Sequence, residues 1–386
     1  MKKRILVVSI VFLTVFISII AMSYNTNTPK TFTQDGITYA LTLDGASVST
    51  FPSKGMYRVD VECNNATGKW LYDEWKLAVE DINGTNATCD VSFNTINTTY
   101  LNNYIIGLNG TTQGNGQVVN ENGYRYEGQN PNNYIWFNNE LWKIIGVFDE
   151  ESHGVSGQNL VKIIRADSIG GLAWDKSNTN DWTQASLMNL LNGAYLNSEN
   201  GTGGEYCYGY STLVPGNCDY TETGINSVYR PLIKNVIWYL GKTSYFASVD
   251  EVYLRERNDD SGGKASTTTG YIGLMYASDY GYGVLASSCG RTIQVYRYDN
   301  SSCSGKNWLY TMGDEHTLTA SDTSGVISIG NYGNMHTGIV NSGSDAGVSN
   351  SGCSVSAAVR PVLYLDSSVY VMDGNGSVSD PYIIGM

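Results

Sequence analysis

Between Gly123 and Asp175 the chain concentrates its aliphatic and aromatic residues, and this stretch constrains the fold more than any other. Tyr134–Phe137 and Leu141–Phe148 are strand-like runs, and Asn138-Asn139 between them is a tight-turn signal. After a polar turn, Leu160–Arg165 adds a third run rich in β-branched residues. Apolar runs this close in sequence bury their faces most simply by pairing as a three-stranded meander, which should nucleate a large core. Nothing in the stretch demands chemistry, so it speaks for architecture alone.

The flanks predict two domains in 386 residues. Within residues 30–97, Ile37–Leu43, Met56–Cys63, Trp75–Val79 and Cys89–Phe93 alternate apolar and polar, as half-buried strands do. They predict a small β domain of a size at which covalent staples matter. Residues 98–123 are biased to Asn, Thr and Gly and read as a polar linker, with Tyr100, Leu101, Tyr104, Ile105 and Ile106 able to form a short element.

Residues 124–386 form the larger domain. Asp181–Tyr195 is a helix by its apolar face of Leu187, Leu190, Leu191 and Tyr195, with Asp181 or Thr183 as cap. A second helix is expected over Pro231–Leu240, and Asp250–Arg257 fits helix or strand. Ile272–Ser278 and Ala358–Leu365 are the strongest later strand candidates, with Val326–Ile329, Val369–Met372 and Ile383–Ile384 shorter ones. The fold class is therefore α+β, mixed and mostly antiparallel.

Composition sets the compartment. Charged residues make up only 15 %, Tyr reaches 29 and Gly 43, and the formal net charge is −13. Abundant aromatic and β-branched residues exclude a disordered chain. The negative balance argues against nucleic acid and anionic membrane surfaces as partners. Met1–Ser23 carries Lys2-Lys3-Arg4, an apolar run from Ile5 to Met22, and small residues Ala21 and Ser23 before a cleavage point. It reads as a signal peptide, or as an N-terminal membrane anchor, since the run is just long enough to span a bilayer. An exported chain with seven cysteines implies disulfides, and proximity pairs Cys63–Cys89, Cys207–Cys218 and Cys289–Cys303, leaving Cys353 over.

A resemblance sharpens the fold. NYIWFNNELWKIIGVF, VKIIRADSIGGLAWD, ASLMNLLNGAYLN, GLMYASDYGYG and AAVRPVLYLDSSVYVMDGNGSVSDPYIIG follow one another as in exported proteins of Gram-positive and related gut bacteria, whose activity is not established. The large domain of those proteins is similar to C-type lectins and formylglycine-generating enzymes. The resemblance covers roughly Tyr124 to Met386 and implies that fold, behind a small β domain. It carries neither chemistry across. No cysteine pair matches the copper-binding pair of the enzymes, and Glu-Pro-Asn, Gln-Pro-Asp and Trp-Asn-Asp, which hold calcium in sugar-binding lectins, do not occur.

Candidate sites are sparse. His153, His316 and His336 lie in polar surroundings and read as exposed loop histidines, with no GxSxG elbow to pair with them. Asp149-Glu150-Glu151, Asp250-Glu251 and Asp259-Asp260 are adjacent acids and read as solvated charge rather than a glycosidase pair. Asp373 to Asp380 has the alternating oxygens of a calcium loop but no glutamate at position twelve, so a Gly turn is the better reading. Neither a metal nor a cofactor is implied. Tyr280, Tyr282, Tyr296, Tyr298, Trp308 and Tyr310 are the best binding candidates, as rings on which sugar C–H faces stack or at which a protein docks, although aromatics of a β-rich domain are more often core. The expected function is a secreted or cell-surface, non-enzymatic module binding a glycan or a host protein. The alternatives are an enzyme of formylglycine-generating type or a hydrolase, which would need His316 or Cys353 beside acids in a pocket, and a structural envelope protein.

Overall fold

A computed structural model describes residues 6–7, 31–34, 37–95 (without 55–56, 72–73 and 84–85), 99–201, 207, 218–258, 266–298, 302–311, 313–322, 325–329, 335–337 and 353–385. The chain divides into two compact units, Met1–Thr98 and Thr99–Met386.

In the first unit one sheet runs in the order Thr31–Gln34, Ile37–Leu43, Ala87–Thr95, Tyr57–Asn64, with Ala46–Val48 also on Ile37–Leu43. Ile37–Leu43 and Ala87–Thr95 are parallel, while the other pairs are antiparallel. The hairpin before Ala46 turns at Asp44 and Gly45, both at positive φ, the conformation that Asp-Gly tolerates. Thr67–Leu71 and Lys76–Glu80 form a second, antiparallel pair, and Leu6–Val7 lies against Lys76–Glu80. Apart from these two residues, the leader at 1–23 and its cleavage point lie outside the described residues. Alternation along Ala87–Thr95 sends Cys89, Val91 and Phe93 inward to meet Trp70, Leu77 and Val79. Phe93 meets Trp70 edge-on with ring centres 5.0 Å apart. Cys63 and Cys89 stand opposite each other on neighbouring strands and are joined, with Cα atoms 4.1 Å apart.

The second unit is α+β and mostly strand. Its main sheet runs Ile272–Gly273, Val362–Leu365, Leu160–Arg165, Glu140–Phe148, Tyr124–Asn130, Asn115–Asn120, Thr112–Gln113, with Tyr134–Phe137 also on Glu140–Phe148. The expected meander is its centre. Asn138 and Asn139 both sit at φ near +60°, the turn geometry their amide side chains tolerate best after glycine. A second sheet runs Gly171–Ala173, Ser356–Ala358, Glu315–Ala320, Val326–Ile329, Met335–Thr337.

Five expectations need correction. Residues 99–123 are no linker: Leu101–Gly107 is a helix burying Leu101 and Ile105, and Asn115–Asn120 pairs along its length with Tyr124–Asn130. Pro231–Leu240 is no helix. Pro231 sits in the short turn Arg230–Leu232, and Val236–Tyr239 is a strand on Thr267–Gly270, as its β-branched and aromatic residues favour. Ile272–Ser278 ends as strand at Gly273, and Ala277–Tyr282 is a helix. Ala358–Leu365 is split at Arg360-Pro361 between the two sheets, because proline has no N–H to give a ladder. The helix from Asp181 is segmented: Asp181 accepts from the Thr183 N–H at 3.1 Å, then Ser186–Leu190 is α-helical and Leu191–Tyr195 widens by a residue per turn.

Candidate functional site

The middle of the second unit holds a buried ionic layer built on the Ala277–Tyr282 helix, every residue of which is buried. Asp279 receives the Arg125 Nη1–H at 2.8 Å, the Tyr276 N–H at 3.0 Å and the Lys162 ammonium. Tyr124–Asn130 and Leu160–Arg165 present the two cations from the sheet. Aromatic rings wrap them. The Arg125 guanidinium lies 4.5 Å from the Phe148 ring centre, and Lys162 Nζ lies 4.4 Å from that of Tyr276. Burial alone would raise the Asp279 carboxyl, but Lys162 and Arg125 outweigh it and hold it at about 2. Burial drives Lys162 down to about 8 against the pull of Asp279.

Further pairs extend the layer. Arg291 bonds Glu127 at 2.6 Å and Glu121 at 2.8 Å, and Arg360 bonds Glu315 at 2.7 Å. Glu256 accepts from the Thr319 hydroxyl at 2.6 Å and the Ser278 N–H at 3.1 Å, and burial pushes its carboxyl up. Each acid of the layer meets a base or a hydroxyl, and all but half-buried Glu121 are closed off from water, so the layer ties helix to sheet rather than opening a reaction site.

It also claims most of the expected binding aromatics. Tyr280, Tyr282, Tyr298 and Trp308 are buried, so they cannot line an open platform. Their polar tips are used internally. Tyr282 donates to Asp250 at 2.8 Å, Tyr298 to the Gly281 carbonyl at 3.2 Å, and Trp308 Nε1 to the Tyr126 carbonyl at 2.8 Å. Tyr310 is half-buried. Tyr296, also half-buried, joins a surface cluster that the sequence reading missed. Phe246 is 53 % exposed. Its ring centre lies 4.2 Å from that of Tyr245 and 5.2 Å from that of Tyr296. The Arg297 Nε–H donates to the Tyr296 hydroxyl at 2.8 Å. Two adjacent aromatics in the polar run Thr243-Ser244-Tyr245-Phe246-Ala247-Ser248 were the available signal, since neighbouring side chains in an irregular segment seldom both point inward.

The histidine reading is overturned at two positions. His153 and His316 are fully buried. His153 Nε2 donates to the Phe148 carbonyl and Nδ1 accepts the Val155 N–H, each at 3.1 Å. His316 Nε2 meets the Leu172 and Val355 carbonyls, both at 3.1 Å, and no carboxylate; burial lowers it to about 4. The His336 side chain and Asp259-Asp260 lie outside the described residues. Glu150 and Glu151 open a helical turn, and Asp250 and Glu251 lie in the first turn of Val249–Arg257, where negative charge suits the helix end. Asp373 to Asp380 is the hairpin between Tyr370–Asp373 and Ile383–Gly385, closed by the Asn375 and Gly376 N–H groups on the Asp380 carbonyl. Among the described residues no three His, Cys, Asp or Glu side chains converge as a metal site. The three expected disulfides are present, and Cys353 is buried outside them. Among the described residues no helix is long and apolar enough to cross a membrane.

Comparison of the chain with protein-family models, curated proteins and solved structures finds no match.

Proposed function

We propose that the protein is an exported, non-enzymatic binding module whose larger unit has a C-type-lectin-like fold and takes a glycan on the Tyr245–Phe246–Tyr296 cluster. The observation that carries this reading is the presentation of Phe246, an apolar ring open to solvent over half its surface and held by two tyrosine rings. Single exposed apolar residues are ordinary, whereas packed rings held at the surface mark binding sites. A sugar stacks C–H faces on such rings, and Arg297 beside Tyr296 offers hydrogen-bond donors at the edge. The patch is small for a protein interface, which makes a glycan the better fit.

The basic-apolar leader supports export, together with the three disulfides, which persist in oxidising compartments. The test is a glycan array probed with residues 24–386 beside the Phe246→Ala protein. Wild-type signal on a saccharide class, lost in the variant, supports the reading. An array without signal, or binding to cells that survives deglycosylation of their surface, overturns the glycan and points to a protein ligand.

A further inference from the structure

In the first unit the strand Lys76–Glu80 has Thr67–Leu71 along one edge and Leu6–Val7 along the other. The second neighbour belongs to the leader. It pairs antiparallel, with Leu6 opposite Val79 and Val7 opposite Ala78. This edge therefore accepts an antiparallel strand, and among the described residues no other segment pairs with it. Removal of the leader leaves Thr67–Leu71 and Lys76–Glu80 as a sheet of two strands, the least stable size for a sheet. The outer N–H and C=O groups of Lys76–Glu80 then lack partners, and a bare edge of this kind is a template for another chain.

We propose that in the exported protein this edge pairs with the same edge of a second copy, giving a two-fold dimer through Lys76–Glu80. The proposal rests on removal of the leader and is independent of the Phe246 cluster. The strand's own sequence, Lys-Leu-Ala-Val-Glu, selects the occupant. Antiparallel pairing of two copies about Ala78 sets each Lys76 opposite the partner's Glu80 and each Leu77 opposite the partner's Val79. Opposite charges meet at both ends with aliphatic residues between them, the cross-strand pairs that favour a sheet. Charges of one sign at both ends would repel in the same pairing, which is how many edges are guarded. Within its own chain Lys76 meets Glu74, a surface pair that contributes little, and Glu80 is exposed. The two-fold axis stands perpendicular to the sheet, so the inner faces, where Leu77 and Val79 are buried, stay on one side. The two pairs of strands then continue as one sheet.

The experiment expresses the full chain with its own leader in a secreting host, sequences the mature N-terminus and follows association by sedimentation equilibrium up to about 200 µM. The cleaved chain is expected to dimerise in that range. Lys76→Glu and Glu80→Lys each set like charges opposite one another at both ends, and each should weaken the dimer about 10-fold or more. The double exchange restores opposite charges and should recover it, while Phe246→Ala should leave it unchanged. Ala78→Cys should cross-link two copies through position 78, because facing residues of antiparallel strands stand about 4.5–5.5 Å apart at Cα. A cleaved chain that stays monomeric, or a dimer that ignores the single exchanges or is not recovered by the double one, overturns the proposal. So does a monomer whose Lys76–Glu80 amides resist hydrogen exchange, which assigns the edge to another segment of the same chain. A mature protein that still begins at Met1 overturns it through the leader instead, and N-terminal sequencing tells that failure from the others.

Discussion

Arg125 and Asp279 lie 154 positions apart and meet in the interior, Nη1 to Oδ1 at 2.8 Å, with both side chains all but closed to water. Lys162 reaches the other oxygen of the same carboxylate. One acid thus compensates two cations from different strands and fastens the Ala277–Tyr282 helix to the sheet. A buried ion pair adds little over a well-packed apolar one, but breaking it strands a charge. Asp279→Ala should therefore cost about 3–5 kcal/mol of unfolding free energy, read from urea titrations. A loss under about 1 kcal/mol would mean that water reaches the layer.

Stability should fall on mild acidification. His316 is held near 4 in the folded protein by burial, below its unfolded value of about 6.5. The unfolded chain then binds the proton more readily, so the contribution is whole above about pH 6.5 and is lost as pH drops towards 4. Across that window the loss is on the order of 3 kcal/mol from His316. His153 is shifted in the same direction, by burial first. Urea midpoints at pH 7.5 and 4.5 measure the fall, and His316→Gln should flatten it.

Aromatic replacements should separate surface from core. Phe246→Ala is expected to change stability by no more than about 0.5 kcal/mol, as exposed substitutions do. Tyr280→Ala empties a fully buried site and should cost about 3–5 kcal/mol. Calorimetry of the two proteins side by side checks the contrast, and equal losses would contradict the burial of Tyr280.

The Cys63–Cys89 bridge closes 26 positions of a small unit. Replacing both cysteines by serine should destabilise that unit by about 3 kcal/mol, through the loop entropy the bridge removes from the unfolded chain. Non-reducing peptide mapping should find this pair with Cys207–Cys218 and Cys289–Cys303, and crossed pairing between the units would contradict the arrangement.

Local rules were legible wherever neighbours in sequence are neighbours in space. The Asn138-Asn139 turn, the meander around it and the three short-range disulfides all follow from contacts that close over a few residues to a few tens. Local rules misled where distant partners decide. Asn115–Asn120 looks like a linker until Tyr124–Asn130 pairs with it, and Val236–Tyr239 fits a helical period until Thr267–Gly270 supplies an edge. The site was less legible still. Tyr280, Tyr282 and Tyr298 stand among Gly, Ser and Asp residues, and their burial is set by packing around a helix whose Asp279 meets cations from strands more than a hundred positions earlier. From its residues alone this protein determined its central meander, its tight turns and its cross-links, because these depend on short-range geometry and alternation. The tertiary structure decided which rings and charges face water, because burial belongs to the whole packed unit and no single segment carries it.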